Sequence, residues 1–170
     1  MIRPRAAIVS RLMLTALLML ASAVPAATQL KGGEAPDFVL KSSSGANLRL
    51  SEYRGEIVML TFWATWCGDC RSQLEQLGAM YDRYQDAGVT LLAVSLDQNQ
   101  RQADSMAEGL GVRYPVLHDA GGEVGRLYDV SRMPVMLLID RGGVVRDVFE
   151  GFRRGNEQQY LERVQALLRE

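Results

Sequence analysis

The chain has two cysteines, Cys67 and Cys70, and they stand between a predicted strand and a predicted helix. Residues 57–62 form an apolar run of β-favouring side chains, which predicts a buried strand. Residues 73–81 repeat apolar side chains at helical spacing, which predicts a helix. Any fold of this chain must therefore place a C-x-x-C pair where a strand ends and a helix begins.

This position has a chemical consequence for the first cysteine. The start of a helix has unpaired N–H groups and the positive end of the helix dipole, and both favour negative charge. A thiolate at Cys67 is therefore expected to be stabilised, with a pKa below the free value of about 8.5. Cys70 is expected to be more shielded, and near enough to attack a mixed disulfide formed at Cys67. The pattern indicates redox chemistry.

A structural disulfide and a metal site are the simpler alternatives for these cysteines. A disulfide that closes so short a loop stabilises a fold by only about 2 kcal/mol in the loop-entropy treatment. A zinc site needs about four ligands, whereas the chain has two cysteines and one histidine, His118. We therefore favour redox chemistry, expect no cofactor or bound metal, and interpret His118 as structural.

The first 27 residues have the pattern of an export signal. Three arginines precede an apolar run at 12–23, and small residues follow at 24–27. This arrangement predicts a signal peptide cleaved near Ala26 or Ala27. An uncleaved anchor is the alternative, although the apolar run is shorter than the ~20 residues of a spanning helix. We expect one exported domain over residues 28–170, located in the periplasm and either soluble or N-terminally anchored.

The charge of that domain bears on its partners. Residues 1–27 hold three of the 19 basic residues and none of the 20 acidic ones, so the remainder has a net charge of about −4. Neither nucleic acid nor an anionic membrane surface is an expected partner of such a domain. A membrane contact is expected only if the N-terminal segment stays uncleaved.

The rest of the chain alternates short strands and helices. Residues 38–40 and 47–50 predict a hairpin, and residues 89–95 predict a second buried strand parallel to the first. The other expected elements are strands at 114–117, 133–140 and 144–149 and helices at 97–108, 123–128 and 156–168. Asp97 and Asp140 each follow an apolar strand and are interpreted as turn or helix caps. The sum is an α/β fold with a mixed central sheet and helices on both faces.

Several short motifs make the chain resemble the TlpA/ResA branch of the thioredoxin-fold family over about residues 33–168. They are PDF with Leu40 at 36–40, LSEYRG at 50–55, FWATWC at 62–67, VSLD at 94–97, and MP at 133–134 leading to LID at 138–140. The resemblance implies a thioredoxin fold with an N-terminal β-hairpin extension and a βα insertion.

The resemblance also implies roles for individual residues. Cys67 and Cys70 would be the catalytic pair. The peptide bond before Pro134 would be cis and would face that pair. Met133 and Trp66 would lie at the rim where substrate binds, and the backbone of Met133 would bind an extended substrate segment as an added strand.

Two positions depart from the family pattern. Asp69 stands where the family often has proline, and its carboxylate should oppose ionisation of Cys67. We therefore expect the pKa of Cys67 to be higher than in an Asp69→Pro variant. Thr61 stands where thioredoxins have a buried acid that accepts a proton from the second cysteine. Thr61 cannot accept that proton, which leaves Asp69 or a water molecule as candidates.

The function implied by the resemblance is that of an exported thiol-disulfide oxidoreductase. It would reduce protein disulfides and be recharged by a membrane thiol donor of the DsbD type. Apocytochrome c before haem attachment, or copper-site assembly proteins, would be plausible clients.

Two other functions remain open at this point. Residues 36–55 also resemble the neighbouring peroxiredoxins, although Ala64 holds the place of their catalytic threonine and Thr65 is one position away. A Cu(I)-binding thioredoxin-like chaperone would use both thiolates as soft ligands.

Overall fold

A computed structural model describes residues 29–153 and 155–170. The predicted signal peptide at 1–27 lies outside the described residues. In the part that is described, no helix is both long enough and apolar enough to cross a membrane.

One seven-stranded mixed sheet organises the domain, in the order β2-β1-β5-β4-β3-β6-β7. The strands are β1 (Val39–Ser42), β2 (Asn47–Arg49), β3 (Ile57–Trp63), β4 (Val89–Ser95), β5 (Val116–His118), β6 (Val135–Ile139) and β7 (Val145–Glu150). The central strand β3 pairs in parallel with β4 and antiparallel with β6. The β1–β2 hairpin extends the sheet beyond β5, to which β1 is antiparallel. The predicted mixed sheet with an N-terminal hairpin is confirmed.

The sheet carries helices on both faces, as predicted. The helices are α1 (Cys70–Tyr84), α2 (Gln100–Gly109), α3 (Glu123–Leu127) and α4 (Asn156–Leu168). Helices α1, α2 and α4 contribute to the apolar core on one face of the sheet. Helix α3 and a short 3₁₀ turn at Leu50–Tyr53 contribute to the core on the other face.

Strand β3 is buried along its whole length because both of its faces are covered. Met59 and Trp63 belong to the core shared with α1 and α4, whereas Leu60 and Phe62 belong to the core shared with α3. Alternating side chains of one strand point to opposite faces, so the continuous apolar run read from the sequence supplies two cores at once. Because β3 is packed on both faces, the position of its end, where the cysteine segment begins, is fixed.

The expected start of α2 was wrong. The sequence pattern predicted a helix from Asp97, whereas α2 begins at Gln100. The N–H of Asp97 donates to the Ser95 hydroxyl (3.1 Å) and its carboxylate accepts from Thr65. These bonds hold residue 97 in a turn before the helix can begin.

The N-terminal segment closes one end of the sheet. Gly32 and Gly33 form a pair of backbone hydrogen bonds with Val145, at the start of β7 (2.8 and 2.9 Å). The N–H of Ala35 donates to the carbonyl of Gly143 (2.9 Å) in the β6–β7 turn. Because β6 is antiparallel to β3, this turn and the segment bound to it lie at the end of the sheet opposite to the cysteines.

Candidate active site

The cysteine segment begins where β3 leaves the sheet. Strand β3 ends at Trp63, a turn covers residues 64–69, and α1 begins at Cys70. The N–H of Cys67 donates to the carbonyl of Ala64 (3.1 Å), and the N–H of Cys70 donates to the carbonyl of Cys67 (3.2 Å). The two sulfurs form a disulfide with an S–S distance of 2.05 Å. The pair therefore lies at the junction of strand and helix that the sequence predicts.

The two cysteines differ in exposure. Cys67 is partly exposed, whereas Cys70 is fully buried. Trp66, directly before Cys67, exposes 70% of its surface, and Trp63 is fully buried in the core. An incoming thiol or disulfide can reach Cys67, while Cys70 can be reached only through its neighbour.

A surface cavity of about 420 Å³ opens beside Cys67, and we call it the Met133 cavity. Trp66, Cys67 and Asp69 line it from the cysteine segment, and Leu96 and Met133 line it from two loops across the sheet edge. The Met133–Pro134 peptide bond is cis, as the family resemblance implied. The structure thus brings Trp66, Cys67, Asp69 and Met133 to one opening, with Cys70 buried behind it.

Met133 differs from the next residue in its backbone hydrogen bonding. The carbonyl of Pro134 accepts a hydrogen bond from the N–H of Gly151 (2.7 Å). In contrast, neither the N–H nor the carbonyl of Met133 has a hydrogen-bond partner within residues 29–153 and 155–170. Gly151 has a φ of 71°, which favours glycine at the position that fixes this loop.

Asp97 positions the cysteine segment, and the sequence did not show this role. Its buried carboxylate accepts from the N–H of Thr65 (2.9 Å), the hydroxyl of Thr65 (2.6 Å) and the hydroxyl of Ser95 (2.9 Å). Strand β4, which ends at Ser95, thereby holds the turn that precedes Trp66 and Cys67. Asp97 is a turn cap, as interpreted, but of a turn 32 residues earlier in the chain.

A buried polar network lies beside α1 on the side of Cys70. The hydroxyl of Thr61 is 2.8 Å from Oε1 of Gln73 and 3.1 Å from the carbonyl of Val135, and its single proton serves one of them at a time. Nε2 of Gln73 donates to the hydroxyl of Tyr160 (3.3 Å). Burial raises the pKa of Tyr160, so the network of Thr61, Gln73 and Tyr160 is uncharged at neutral pH.

This network bears on the missing buried acid. Gln73 lies one helical turn after Cys70, on the face of α1 that packs against the core. Its place in an otherwise apolar stripe is the sequence signal that could have revealed it, because buried polar groups need partners. Asp69 is exposed at the N-cap of α1 and makes no capping hydrogen bond. The carboxylate of Asp69 is therefore not part of the buried network.

The one histidine, His118, lies beside a carboxylate. His118 is buried, and its Nε2 lies 3.1 Å from Oδ1 of Asp104 without the alignment of a hydrogen bond. Within the described ranges, no group of three or more His, Cys, Asp or Glu side chains is arranged to hold a metal ion.

Comparison with known proteins gives consistent matches. Residues 32–148 match the AhpC/TSA family. The chain is 35% identical over 134 residues to thiol-disulfide oxidoreductase ResA of Geobacillus thermodenitrificans, covering 78% of this chain and 77% of that protein. It is 33% identical over 121 residues to ResA of Bacillus subtilis, covering 71% of this chain and 68% of that protein.

A solved structure has the same architecture. The crystal structure of a putative thiol:disulfide interchange protein DsbE from Chlorobium tepidum superposes with a TM-score of 0.78 at 36% identity. The match covers 81% of this chain and 97% of that one. The thioredoxin fold expected from the sequence is confirmed.

Proposed function

The chain belongs to the AhpC/TSA family and is a thiol-disulfide oxidoreductase like its ResA and DsbE relatives, and we propose that it is an exported reductant of protein disulfides. The observation that carries the exchange mechanism in this proposal is the asymmetry of the pair: an accessible Cys67 bonded to a buried Cys70 at the start of a helix. An attacking thiol must be reachable, and a resolving thiol is best kept from solvent and from other disulfides.

The proposed reaction moves two electrons from the enzyme to its client. In the reduced enzyme the Cys67 thiolate attacks one sulfur of a client disulfide, and the second client sulfur leaves as a thiolate and takes up a proton. Cys70 then loses its proton and attacks the sulfur of Cys67. The mixed disulfide breaks, the first client sulfur takes up a proton, and the enzyme disulfide forms. The client gains two thiols, and the enzyme returns to the oxidised state that the structure contains.

The client would bind at the Met133 cavity. The unpaired N–H and carbonyl of Met133 suit an extended segment added as a short strand. The exposed indole of Trp66 would cover the other side of that segment, because aromatic faces contribute much of the contact energy at interfaces. The cavity then holds the client disulfide next to the sulfur of Cys67.

The cellular setting is part of the proposal. The pattern of residues 1–27 supports export to the periplasm, with the domain released or held by an N-terminal anchor. A reductant in an oxidising compartment must be recharged, so a membrane thiol donor of the DsbD type is the expected partner. Apocytochrome c and copper-site assembly proteins are the proposed clients.

A trapping experiment tests the mechanism. The Cys70→Ala variant keeps the attacking thiol but lacks the resolving one, so it should accumulate mixed disulfides with a client such as oxidised insulin. Cys67→Ala is the matched control and should form none, because Cys70 is buried. Absence of adducts with Cys70→Ala, or equal adducts with Cys67→Ala, would contradict the assigned roles.

The direction of electron flow needs a separate measurement. The equilibrium potential of the pair against glutathione should be strongly negative for a reductant, near the thioredoxin value of about −270 mV. A value near that of DsbA, about −120 mV, would make the protein an oxidant instead. Export is tested by locating the protein in fractionated cells and by sequencing its mature N-terminus.

Peroxide reduction is the alternative function, because residues 36–55 also resemble the peroxiredoxins. In the structure the Thr65 hydroxyl donates to Asp97 (2.6 Å) and is thus already engaged, which argues against its use as a peroxide ligand. Peroxide consumption with a thiol donor, compared with insulin reduction under the same conditions, separates the two activities.

A further inference from the structure

A second cavity borders the cysteine segment on the side of α2, and we call it the α2 cavity. It has a volume of about 520 Å³ and is lined by Thr65, Arg71, Arg101, Gln102, Ser105 and Met106. The Met133 cavity is lined by other residues of the same segment, 66–69. Cys67 lines the Met133 cavity itself, whereas the α2 cavity is lined by Thr65 and Arg71, which flank the pair in the sequence.

The α2 cavity is basic. Of the residues that the structure describes, two arginines line it and no aspartate or glutamate does. Within residues 29–153 and 155–170, Arg101 has no carboxylate within 4.0 Å. Arg71 lies 3.6 Å from Glu75, but both side chains are more than half exposed, so water screens this pair and leaves the guanidinium available.

The Met133 cavity has the opposite character. Asp69 is the one charged residue that lines it in the described part of the chain, and Leu96, Val130 and Met133 give it apolar walls. A segment lying across Cys67 would thus meet an acidic and apolar surface at one end and two guanidinium groups at the other. Such a charge difference can fix the direction in which a partner binds.

Building on the oxidoreductase function proposed above, we propose that the α2 cavity is a client subsite that receives an acidic side chain near the client disulfide. Guanidinium groups bind carboxylates with two parallel hydrogen bonds, a geometry that lysine cannot offer. The hydroxyl of Ser105 adds a donor at the same site, and Met106 offers an apolar contact for the methylenes of a glutamate. Thr65 and Arg71, which line the cavity, flank the cysteine pair in the sequence, so the acidic residue would stand within a few positions of the attacked cysteine in an extended client.

Peptide substrates test this proposal. Each synthetic peptide contains one intramolecular disulfide and carries Glu, Gln or Lys three positions from one cysteine, with a second set substituted on the other side. The reduced full chain is assayed for kcat/KM at low salt and at high salt. We expect the Glu peptide of one set to react about threefold faster than its Gln counterpart, since exposed ion pairs are worth this much. The Lys peptide should be slower than both, and high salt should bring the three together.

Charge variants of the protein assign the effect to the cavity. Arg101→Gln should weaken the preference for Glu because Arg71 remains, and the double variant Arg71→Gln/Arg101→Gln should abolish it. Arg101→Glu should weaken the preference more than Arg101→Gln does. Arg169→Gln is the matched control, because Arg169 is exposed at the end of α4, at the opposite end of the sheet. It should retain the preference.

The outcomes separate this subsite from the proposed function. Equal kcat/KM for all peptides, or a preference for Glu that survives undiminished in the Arg71→Gln/Arg101→Gln double variant, overturns the subsite and leaves the reductase intact. If the protein reduces none of the peptides and does not reduce insulin either, both the subsite and the reductase function are overturned.

Discussion

Asp97 and Asp140 follow buried strands in the same sequence pattern, yet they lie at opposite ends of the sheet. Asp97 follows β4, which is parallel to β3, whereas Asp140 follows β6, which is antiparallel to it. Asp97 is 4% exposed and binds Thr65, 32 residues earlier. The side chain of Asp140 is 21% exposed and accepts from Gly142 and Val144, within its own hairpin turn.

The difference shows what a strand-ending aspartate can do in this fold. At the cysteine end, three loops from different parts of the chain meet, so the carboxylate has distant donors to bind. At the other end β6 turns back directly into β7, so the nearest donors are local. We therefore expect Asp97 to matter for reactivity and stability, and Asp140 for stability alone.

The largest effect is expected for Asp97→Ala. Loss of the carboxylate leaves the N–H of Thr65 and two hydroxyls without their acceptor, which should lower the free energy of unfolding by about 3 kcal/mol. The turn before Cys67 would also lose its support, and insulin reduction should slow about tenfold. Urea denaturation and the insulin assay measure the two effects. Asp97→Asn keeps one acceptor oxygen and should lie between wild type and Asp97→Ala.

A smaller effect is expected for Thr65→Val. Valine has the same shape but lacks the hydroxyl that donates to Asp97 at 2.6 Å. Hydrogen bonds to a charged group contribute about 1.5–3 kcal/mol to stability. We expect Thr65→Val to lower the free energy of unfolding, measured by urea denaturation, by the low end of this range because Thr65 is partly exposed. Thr65→Ser retains the hydroxyl and is the control. A Thr65→Ser variant as unstable as Thr65→Val would show that the hydroxyl is not what matters.

Asp140→Ala should be milder and should leave the reaction alone. Water can replace part of the lost hydrogen bonding at this partly exposed turn, so we expect a loss of about 1 kcal/mol in the free energy of unfolding. The rate of insulin reduction should stay within about twofold of wild type, because the turn lies at the end of the sheet opposite to Cys67. A rate reduced as much as in Asp97→Ala would contradict the different roles assigned to Asp97 and Asp140.

The smallest effect is a pH dependence at Asp140. Burial opposes ionisation, but the N–H of Val144, the guanidinium of Arg146 and the N–H of Gly142 together hold the pKa of Asp140 below its ordinary value of 3.8. The unfolded chain then binds more protons between the two pKa values, so stability rises with pH there. The advantage of wild type over Asp140→Asn should be complete above pH 3.8 and disappear as pH falls through the lowered folded pKa. Urea denaturation of both proteins from pH 2 to 6 would show a constant difference if this is wrong.

The sequence predicted the features that depend on local pattern. The strands and helices follow hydrophobic periodicity, and their bounds agree with the structure within a few residues, apart from the start of α2. The cysteine pair was identified from its flanking strand and helix, and the cis bond before Pro134 came from family resemblance. Each of these signals lies in a short stretch of chain.

The sequence did not show the long-range polar contacts. Asp97 and Thr65 are 32 residues apart, and Gln73 and Tyr160 are 87 apart. Periodicity tells which side of a helix or strand is buried but not which distant side chain it will meet there. Gln73 was overlooked because a glutamine near the start of a helix usually faces solvent.

The attachment of residues 32–35 to the β6–β7 turn has a consequence for orientation. Because this segment is fixed at the end of the sheet opposite to Cys67, the described part of the chain begins at that end of the domain. If a tether held the chain at its N-terminus, the Met133 and α2 cavities would point outward into the surrounding compartment. Clients would then approach from the bulk solution. A membrane-bound donor would contact Cys67 only after the domain had reoriented relative to the membrane.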